Sequence, residues 1–128
     1  MADGVIFSDI MAHLVSRLNT ELTAQGETET RVGVKADDSD SQVIIRRDGG
    51  TLDSKTLMSS VIGVNIYETT YARAESLALL VAGIFDDLPD GNPIVNVSVQ
   101  SYVQDVTDLK AERRFMRFAV THRGQNLN

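Results

Sequence analysis

The chain has 128 residues and no cysteine, and its 18 acidic side chains outnumber 12 basic ones to give a net charge of -6. The length is enough to fold as one domain, and the absence of cysteine excludes disulfides, thiolate metal sites and cysteine nucleophiles. The acidic balance argues against non-specific binding to duplex DNA, and no apolar run approaches the ~20 residues of a membrane helix, so we expect a soluble protein made in the cytoplasm.

In the N-terminal half, the clearest signal is a run of apolar residues at spacings of three and four from Ile6 to Leu22. This spacing predicts an amphipathic helix from about Ser8 to Ala24, with Ser8 as its N-cap. The segments that follow are predicted to be a short strand at 30–34, an acidic loop at 36–41, a strand at 42–47, a turn at Asp48-Gly49-Gly50 and a loop at 51–57.

The C-terminal half begins with a long strand from about Met58 to Tyr67. Alternation places Ile62, Val64 and Ile66 on one side of this strand. The next segment, residues 70–88, has the spacing of a helix, with Thr69 or Thr70 as its cap. Pro89 and Pro93 bracket the turn that ends this helix.

Two further strands close the chain, at about 94–104 and 113–123. Each alternates apolar with polar side chains, which is typical of half-buried antiparallel strands. The predicted fold is therefore α+β, in the order α-β-β-β-α-β-β. It consists of a single, mainly antiparallel twisted sheet with two helices packed on one face.

The back of the second predicted helix has an unusual composition. Ala78, Leu79, Ala82 and Gly83 form a small apolar surface where a solvent-facing helix would carry charges. Glycine inside a helix costs about 1 kcal/mol relative to alanine, so Gly83 suggests close approach by another backbone. Packing by the first helix and contact with another subunit both explain this surface.

The residues suited to catalysis or metal binding each have a simpler interpretation. His13 is expected on the polar face of the first helix, and His122 is expected to pack at a strand end. The acidic loop lacks the alternating ligands, central glycine and closing glutamate of a calcium-binding loop. Two histidines without cysteine also argue against a zinc site. Because none of these residues forms a recognisable catalytic or metal site, we predict a protein that is not an enzyme and has no cofactor.

The polar face of the three C-terminal strands is the remaining candidate site. If these strands are neighbours, this face gathers Asn65, Tyr67, Asn96, Ser98, Gln100, Tyr102, Gln104, Arg113 and Arg117. Such a face is often simply solvated. It also has the composition of a protein contact surface, because Tyr and Arg are enriched in interfaces.

The order and texture of these elements resemble the small tail terminator proteins, also called tail completion or minor tail proteins, of long-tailed bacteriophages, including those of lambda-like phages. The resemblance covers nearly the whole chain and is one of element order rather than of catalytic residues. The segments that carry it are the helix at 10–18, the strands at 43–50 and 61–67, the helix at 72–81, the break at Leu88-Pro89 and the closing strand at 113–121.

The resemblance implies a virion protein, located in the tail or neck, whose subunits assemble as a hexameric ring. The ring would cap the tail tube, stop its polymerisation and provide the surface for head–tail joining, so the implied partners are other copies, the tail-tube protein and a head-closure or neck protein. A ring of like subunits needs two different contact surfaces on each subunit. The candidates are the polar sheet face, with Tyr67, Tyr102, Arg113 and Arg117, and the back of the second helix, with Ala78, Ala82 and Gly83.

DNA would pass through such a ring without specific binding. We therefore expect some of the acidic residues Asp37, Asp38, Asp40, Asp86, Asp87 and Asp90 to face the lumen. The alternatives are a head-closure or neck connector protein, and a small α+β ligand-binding or regulatory domain that uses the polar sheet face. An enzyme with a site centred on His122 is a further alternative.

Overall fold

The structure is a computed structural model that describes residues 5–7 and 9–126. It contains six strands and two helices in an α+β arrangement. In chain order these are β1 (Val5–Phe7), α1 (Ile10–Ala24), β2 (Arg31–Gly33), β3 (Gln42–Leu52), β4 (Leu57–Glu68), α2 (Tyr71–Asp86), β5 (Ile94–Val106) and β6 (Glu112–Asn126).

All six strands belong to one sheet. β6 pairs with β4 along one edge and with β5 and β1 along the other, while β3 follows β4 and β2 follows β3. β2 pairs with β3 in parallel and the other pairings are antiparallel, so the sheet is mixed. The prediction of a mainly antiparallel sheet missed this parallel edge.

Both helices contribute to one hydrophobic core on a single face of the sheet. α1 contacts β2 and β3, whereas α2 contacts β4, β5 and β6. The alternation predicted for β4 and β6 is confirmed, because their even-numbered apolar side chains are buried in this core. The strand residues of this core are Val32, Val43, Ile45, Ile62, Val64, Ile66, Ile94, Met116, Phe118 and Val120.

The N-terminal helix has the predicted apolar stripe but a different cap. Its side chains at Ile10, Leu14, Leu18 and Leu22 are buried, and burying each contributes about 1.5–3 kcal/mol. The cap is Asp9, whose carboxylate accepts a hydrogen bond from the Ala12 N–H at 3.1 Å. The predicted cap, Ser8, lies outside the described residues.

The second helix starts as predicted, because the Thr70 hydroxyl accepts a hydrogen bond from the Arg73 N–H at 3.3 Å. The helix ends at Asp86, earlier than the predicted Leu88. Phe85 near its end stacks on Phe118 of β6, with the ring centroids 4.4 Å apart. This stack fixes the C-terminal end of α2 against the centre of the sheet.

The predicted turn at Asp48-Gly49-Gly50 is wrong, because β3 continues through it to Leu52. The register shifts between Arg47 and Gly49, which marks a bulge that absorbs one extra residue. Gly49 has a φ of 142°, a conformation open to glycine, and at Gly50 a Cβ would collide with the carbonyl oxygen of Ser59 on β4. The two glycines therefore serve the bulge and the close strand pairing.

The first strand, Val5–Phe7, is an element that the hydrophobic pattern does not reveal. It pairs with the last residues of β6, with Phe7 opposite Gly124. At Gly124 a Cβ would collide with the Val5 side chain, so glycine is needed for this pairing. The strand is too short for alternation to be read, and Ile6 also fits the spacing of the helical stripe.

Two arginine clusters fasten the helices to the sheet. Arg73 of α2 lies 2.8 Å from Glu27 and 3.1 Å from the buried Glu68 at the end of β4, and the Arg73 hydrogen bond lowers the pKa of Glu27. Arg114 is only 1% exposed, with its Nε 2.8 Å from Glu75 of α2 and 3.1 Å from Asp105 of β5. Together they hold the N-terminal end of α2 in place.

A substitution in α2 tests whether its small residues belong to the core. Ala78 is fully buried and Ala72 is exposed, so Ala78→Leu and Ala72→Leu are matched changes in one helix. We expect Ala78→Leu to lower the free energy of unfolding by about 1–3 kcal/mol through overpacking, with little effect from Ala72→Leu. Urea denaturation measures both, and equal stability of the two variants would contradict burial of Ala78.

Candidate functional site

The side of the sheet opposite the helices has no layer covering it in the described part of the chain. We call it the outer sheet face, defined by Asn65 and Tyr67 of β4 and Arg113, Phe115 and Arg117 of β6. The strand register places Tyr67 opposite Arg113 and Asn65 opposite Phe115. The predicted grouping of Asn65, Tyr67, Arg113 and Arg117 on one face is therefore confirmed by the pairing of β4 with β6.

Arg113 is held by two neighbours on this face. Its Nη2 donates a hydrogen bond to the Asn65 side-chain oxygen at 2.7 Å, and its guanidinium lies 5.1 Å from the centre of the Tyr67 ring. A cation over a tyrosine ring is attracted by the ring quadrupole, by roughly 0.5–1 kcal/mol at an exposed site. The guanidinium is thus oriented before any partner binds.

Arg117 is held in a similar way, with its guanidinium 5.3 Å from the centre of the Phe115 ring. Its Nη2 lies 3.2 Å from Asp48 of β3, and the Nε of Arg46 lies 2.6 Å from the same carboxylate. The hydrogen bond from Arg46 is the main cause of the lowered pKa of Asp48, and Arg117 adds to it. Asp48 thereby joins β3 to β6 across β4.

Gly63 of β4 makes room for this junction. A Cβ at Gly63 would lie 2.6 Å from Oδ2 of Asp48 and 3.3 Å from the Phe115 ring. Any other residue would push the Asp48 carboxylate away from its arginines. The sequence does not predict Asp48 as a member of the site because Asp48-Gly49-Gly50 has the sequence of a turn, and no sequence signal indicates that β3 continues beyond Arg47. Arg46 lies within the predicted strand at 42–47, but the sequence does not show which strands neighbour it.

Tyr102 lies away from the outer sheet face, contrary to the prediction. β5 has register shifts between Val99 and Ser101 and between Ser101 and Gln104. These bulges turn Tyr102 to the helix side, where it lines a groove with Leu79 and Gly83 of α2. The earlier part of β5 does follow the predicted alternation, because Asn96 pairs with Thr121 and Ser98 with Ala119 on the outer side.

The back of α2 is only in part the surface that was predicted. Ala78 is fully buried and Ala82 is 4% exposed, so these two residues pack inside the chain and have little surface for a partner. Gly83 is exposed, and a Cβ built on it meets no atom within 4 Å. No other backbone in the described part of the chain approaches it closely, so the interpretation that the first helix packs there is wrong. Leu79 remains exposed beside Gly83.

The six acidic residues proposed for a lumen fall into two separate groups. Asp37, Asp38 and Asp40 line a cleft near Thr69, at the N-terminal end of α2, where the Gln42 side chain holds the loop by hydrogen bonds. Asp86, Asp87 and Asp90 lie at the other end of α2, and Asp90 pairs with Arg17 of α1 at 3.1 Å. A helix of 16 residues separates the groups by about 24 Å.

His122 is enclosed rather than exposed as a base would be. It is 1% exposed, its Nε2 lies 2.9 Å from the Ser60 hydroxyl, and the Phe7 ring packs edge-on against it. This agrees with the predicted packing role at a strand end. Within residues 5–7 and 9–126, no group of three or more His, Asp or Glu side chains is arranged to hold a metal ion.

No protein-family profile and no curated protein matches this chain. The resemblance to phage tail terminators therefore rests on element order in the sequence alone. None of the helices in the described ranges is long and apolar enough to cross a membrane. The outer sheet face and the exposed part of α2 are the features from which a function must be argued.

The burial of His122 predicts a pH-dependent stability. Desolvation, with a smaller effect of Arg47, lowers the pKa of His122 below its ordinary 6.5 in the folded chain. The unfolded chain then binds a proton more readily than the folded chain. The contribution of His122 to the free energy of unfolding is therefore fully present above pH 6.5 and is lost as the pH falls through the folded pKa.

We expect His122→Gln to make the free energy of unfolding fall less steeply between pH 7.5 and pH 5.5 than in the wild type. Urea denaturation at a series of pH values measures the slope. The pKa of His13 is also lowered by burial, so His13→Gln is the matched variant and defines that residue's own share. A slope unchanged by His122→Gln would show that the ring is solvated and free to take up a proton.

Proposed function

We propose that this chain is a structural virion protein of a long-tailed bacteriophage, whose copies form a ring that caps the tail tube. In this role it ends tail polymerisation and provides the surface to which the filled head is joined. The hexameric state follows from the resemblance to tail terminators. The partners are other copies of the chain, the tail-tube protein and a head-closure or neck protein.

The outer sheet face is the observation that carries this proposal. The hydrophobic core is complete on the other side of the sheet, so the fold does not need Tyr67, Arg113, Phe115 and Arg117 for burial. Arginine and aromatic side chains are enriched at the centres of interfaces, where they bury area while their polar atoms find partners. Because the arginines are already oriented by aromatic rings and Asp48, binding would cost little side-chain entropy.

Charge supports the passage of DNA through the ring without specific binding. The net charge of -6 repels a phosphate backbone. The loop at one end of the fold holds three carboxylates, of which Asp37 is paired with Arg31, whereas Asp38 and Asp40 form no ion pair in the described part of the chain. We place this acidic loop at the lumen. At the outer sheet face, Arg46 and Arg117 share the Asp48 carboxylate and Arg113 donates to the neutral Asn65 side chain, so this positively charged surface is unsuited to a passage that must not hold DNA.

Electron microscopy of particles assembled without this protein tests the function. We expect tails of uncontrolled length, or tails that never join heads, because nothing would cap the growing tube. Re-adding the purified chain should restore joining. Normal tails beside heads that leak DNA would contradict the terminator role and support the alternative of a head-closure or neck connector.

The contact role of the outer sheet face is tested by Arg113→Ala. Loss of a pre-oriented interface arginine should weaken binding to tail tubes by about tenfold or more, since central arginines are often worth above 1 kcal/mol. Lys110→Ala, in the exposed turn before β6, is the control. Co-sedimentation with tail tubes gives the affinity, and thermal unfolding checks that both variants fold.

Equal binding of the wild type, Arg113→Ala and Lys110→Ala would mean that this face is solvated and takes no part in assembly. Binding of a small molecule at the face would instead favour the ligand-binding alternative.

A further inference from the structure

Two exposed apolar surfaces lie at opposite edges of the sheet. The first is the α1–β3 groove, a depression of about 810 Å³ whose apolar lining includes Met11, Val15, Val34 and Ile45. Val34 is 53% exposed there. The groove opens where β3 loses its neighbour, because β2 pairs only with Gln42 to Ile44.

The second surface is the α2–β5 patch, formed by Leu79 and Gly83 of α2 and Val99 and Tyr102 of β5. Leu79, Val99 and Tyr102 are each more than half exposed, at 51%, 54% and 55%. They surround a shallow groove of about 480 Å³ with Ala82 beneath it. Contiguous exposed apolar surface is a feature of protein interaction sites.

The charges beside the two surfaces are opposite. Arg47 lines the α1–β3 groove and Asp86 lines the α2–β5 patch. Neither side chain forms an ion pair with another residue in the described part of the chain, whereas Arg31 and Arg46 at the groove are already paired with Asp37 and Asp48. Asp9 also lines the groove, where its carboxylate caps α1. The groove therefore carries one basic side chain without an ion partner, and the patch carries one such acidic side chain.

Contact through side chains fits these surfaces better than pairing of strands. β5 has no strand on its second edge among the described residues, but bulges interrupt its register at three places. The free part of β3, residues 45–52, contains a bulge between Arg47 and Gly49. Bulges twist an edge away from a straight partner and so oppose strand addition, while they leave the side chains beside them accessible.

We propose that the α2–β5 patch of one copy docks in the α1–β3 groove of the next, with Asp86 facing Arg47. The two surfaces differ, so each copy uses both, and repetition by rotation closes a ring. This inference rests on the proposed function and identifies its subunit contact. It leaves the outer sheet face free for the tail tube or the neck.

Engineered cysteines test the contact, because the native chain has none. In the double variant Val34→Cys/Tyr102→Cys, one thiol follows β2 and the other lies in β5, at opposite edges of the sheet. Four strand spacings separate these two strands, which places the thiols of one copy about 19 Å apart. A disulfide needs Cα atoms within ~7 Å, so a bond between them must join two copies. The matched control is Val34→Cys/Leu109→Cys, with the fully exposed Leu109 in the β5–β6 turn.

Under mild oxidation, with and without tail tubes, we expect the Val34→Cys/Tyr102→Cys chain to give a covalent ladder that ends at one ring size. The control and each single variant should give no ladder. Adding Asp86→Arg to this chain should lower the cross-linking yield roughly threefold or more, because the ion pair at the rim of the contact is lost. Adding Arg47→Asp to the Asp86→Arg variant should restore the yield, because the ion pair is then re-formed with the charges exchanged. Sedimentation of the same samples reports the assembly state.

Each outcome separates this contact from the proposed function. Rings that form while the Val34→Cys/Tyr102→Cys chain gives no ladder would overturn the contact and leave the function standing. Cross-linking of Tyr102→Cys alone would mean that two patches face each other, which also overturns it. A chain that stays monomeric with and without tail tubes would overturn both.

Discussion

The pairing of β4 with β6 is the constraint on which the rest of the structure depends. Twelve consecutive residues of β4, from Leu57 to Glu68, face β6 without a register shift. Because successive side chains of a strand point to opposite sides, this long register commits one set of residues to the helices and the other to the outer sheet face. A slip by one residue would exchange Phe118 with Arg117 and destroy both surfaces together.

Ion pairs connect parts of the fold that the hydrophobic core does not hold together. Arg73 and Arg114 fasten the start of α2 to the sheet, and Asp48 joins Arg46 to Arg117 across β4. These pairs are partly shielded from water, so they orient side chains more than they add stability. The result is a fold in which the arginines, the α2–β5 patch and the α1–β3 groove have defined positions within a single chain.

The sequence predicts the parts of this fold that follow a regular period. The faces of β4 and β6 and the buried stripe of α1 are regular, and the structure confirms them. Bulges cannot be predicted from this period. The register changes after Val99 and turns Tyr102 toward α2, but the sequence there is a regular alternation of valines and polar residues. Burial of Ala78 and Ala82 depends on how closely β5 and the sheet approach α2, which helical spacing does not give.

The central claim is that this chain is a subunit built to assemble, and its mass in solution tests that claim most directly. Sedimentation velocity over a range of concentrations, alone and with tail tubes, compares the assembled mass with the 14.0 kDa of one chain. We expect a discrete ring of several chains, at high concentration or on the tubes. A persistent 14.0 kDa monomer that also fails to bind tail tubes would contradict the account.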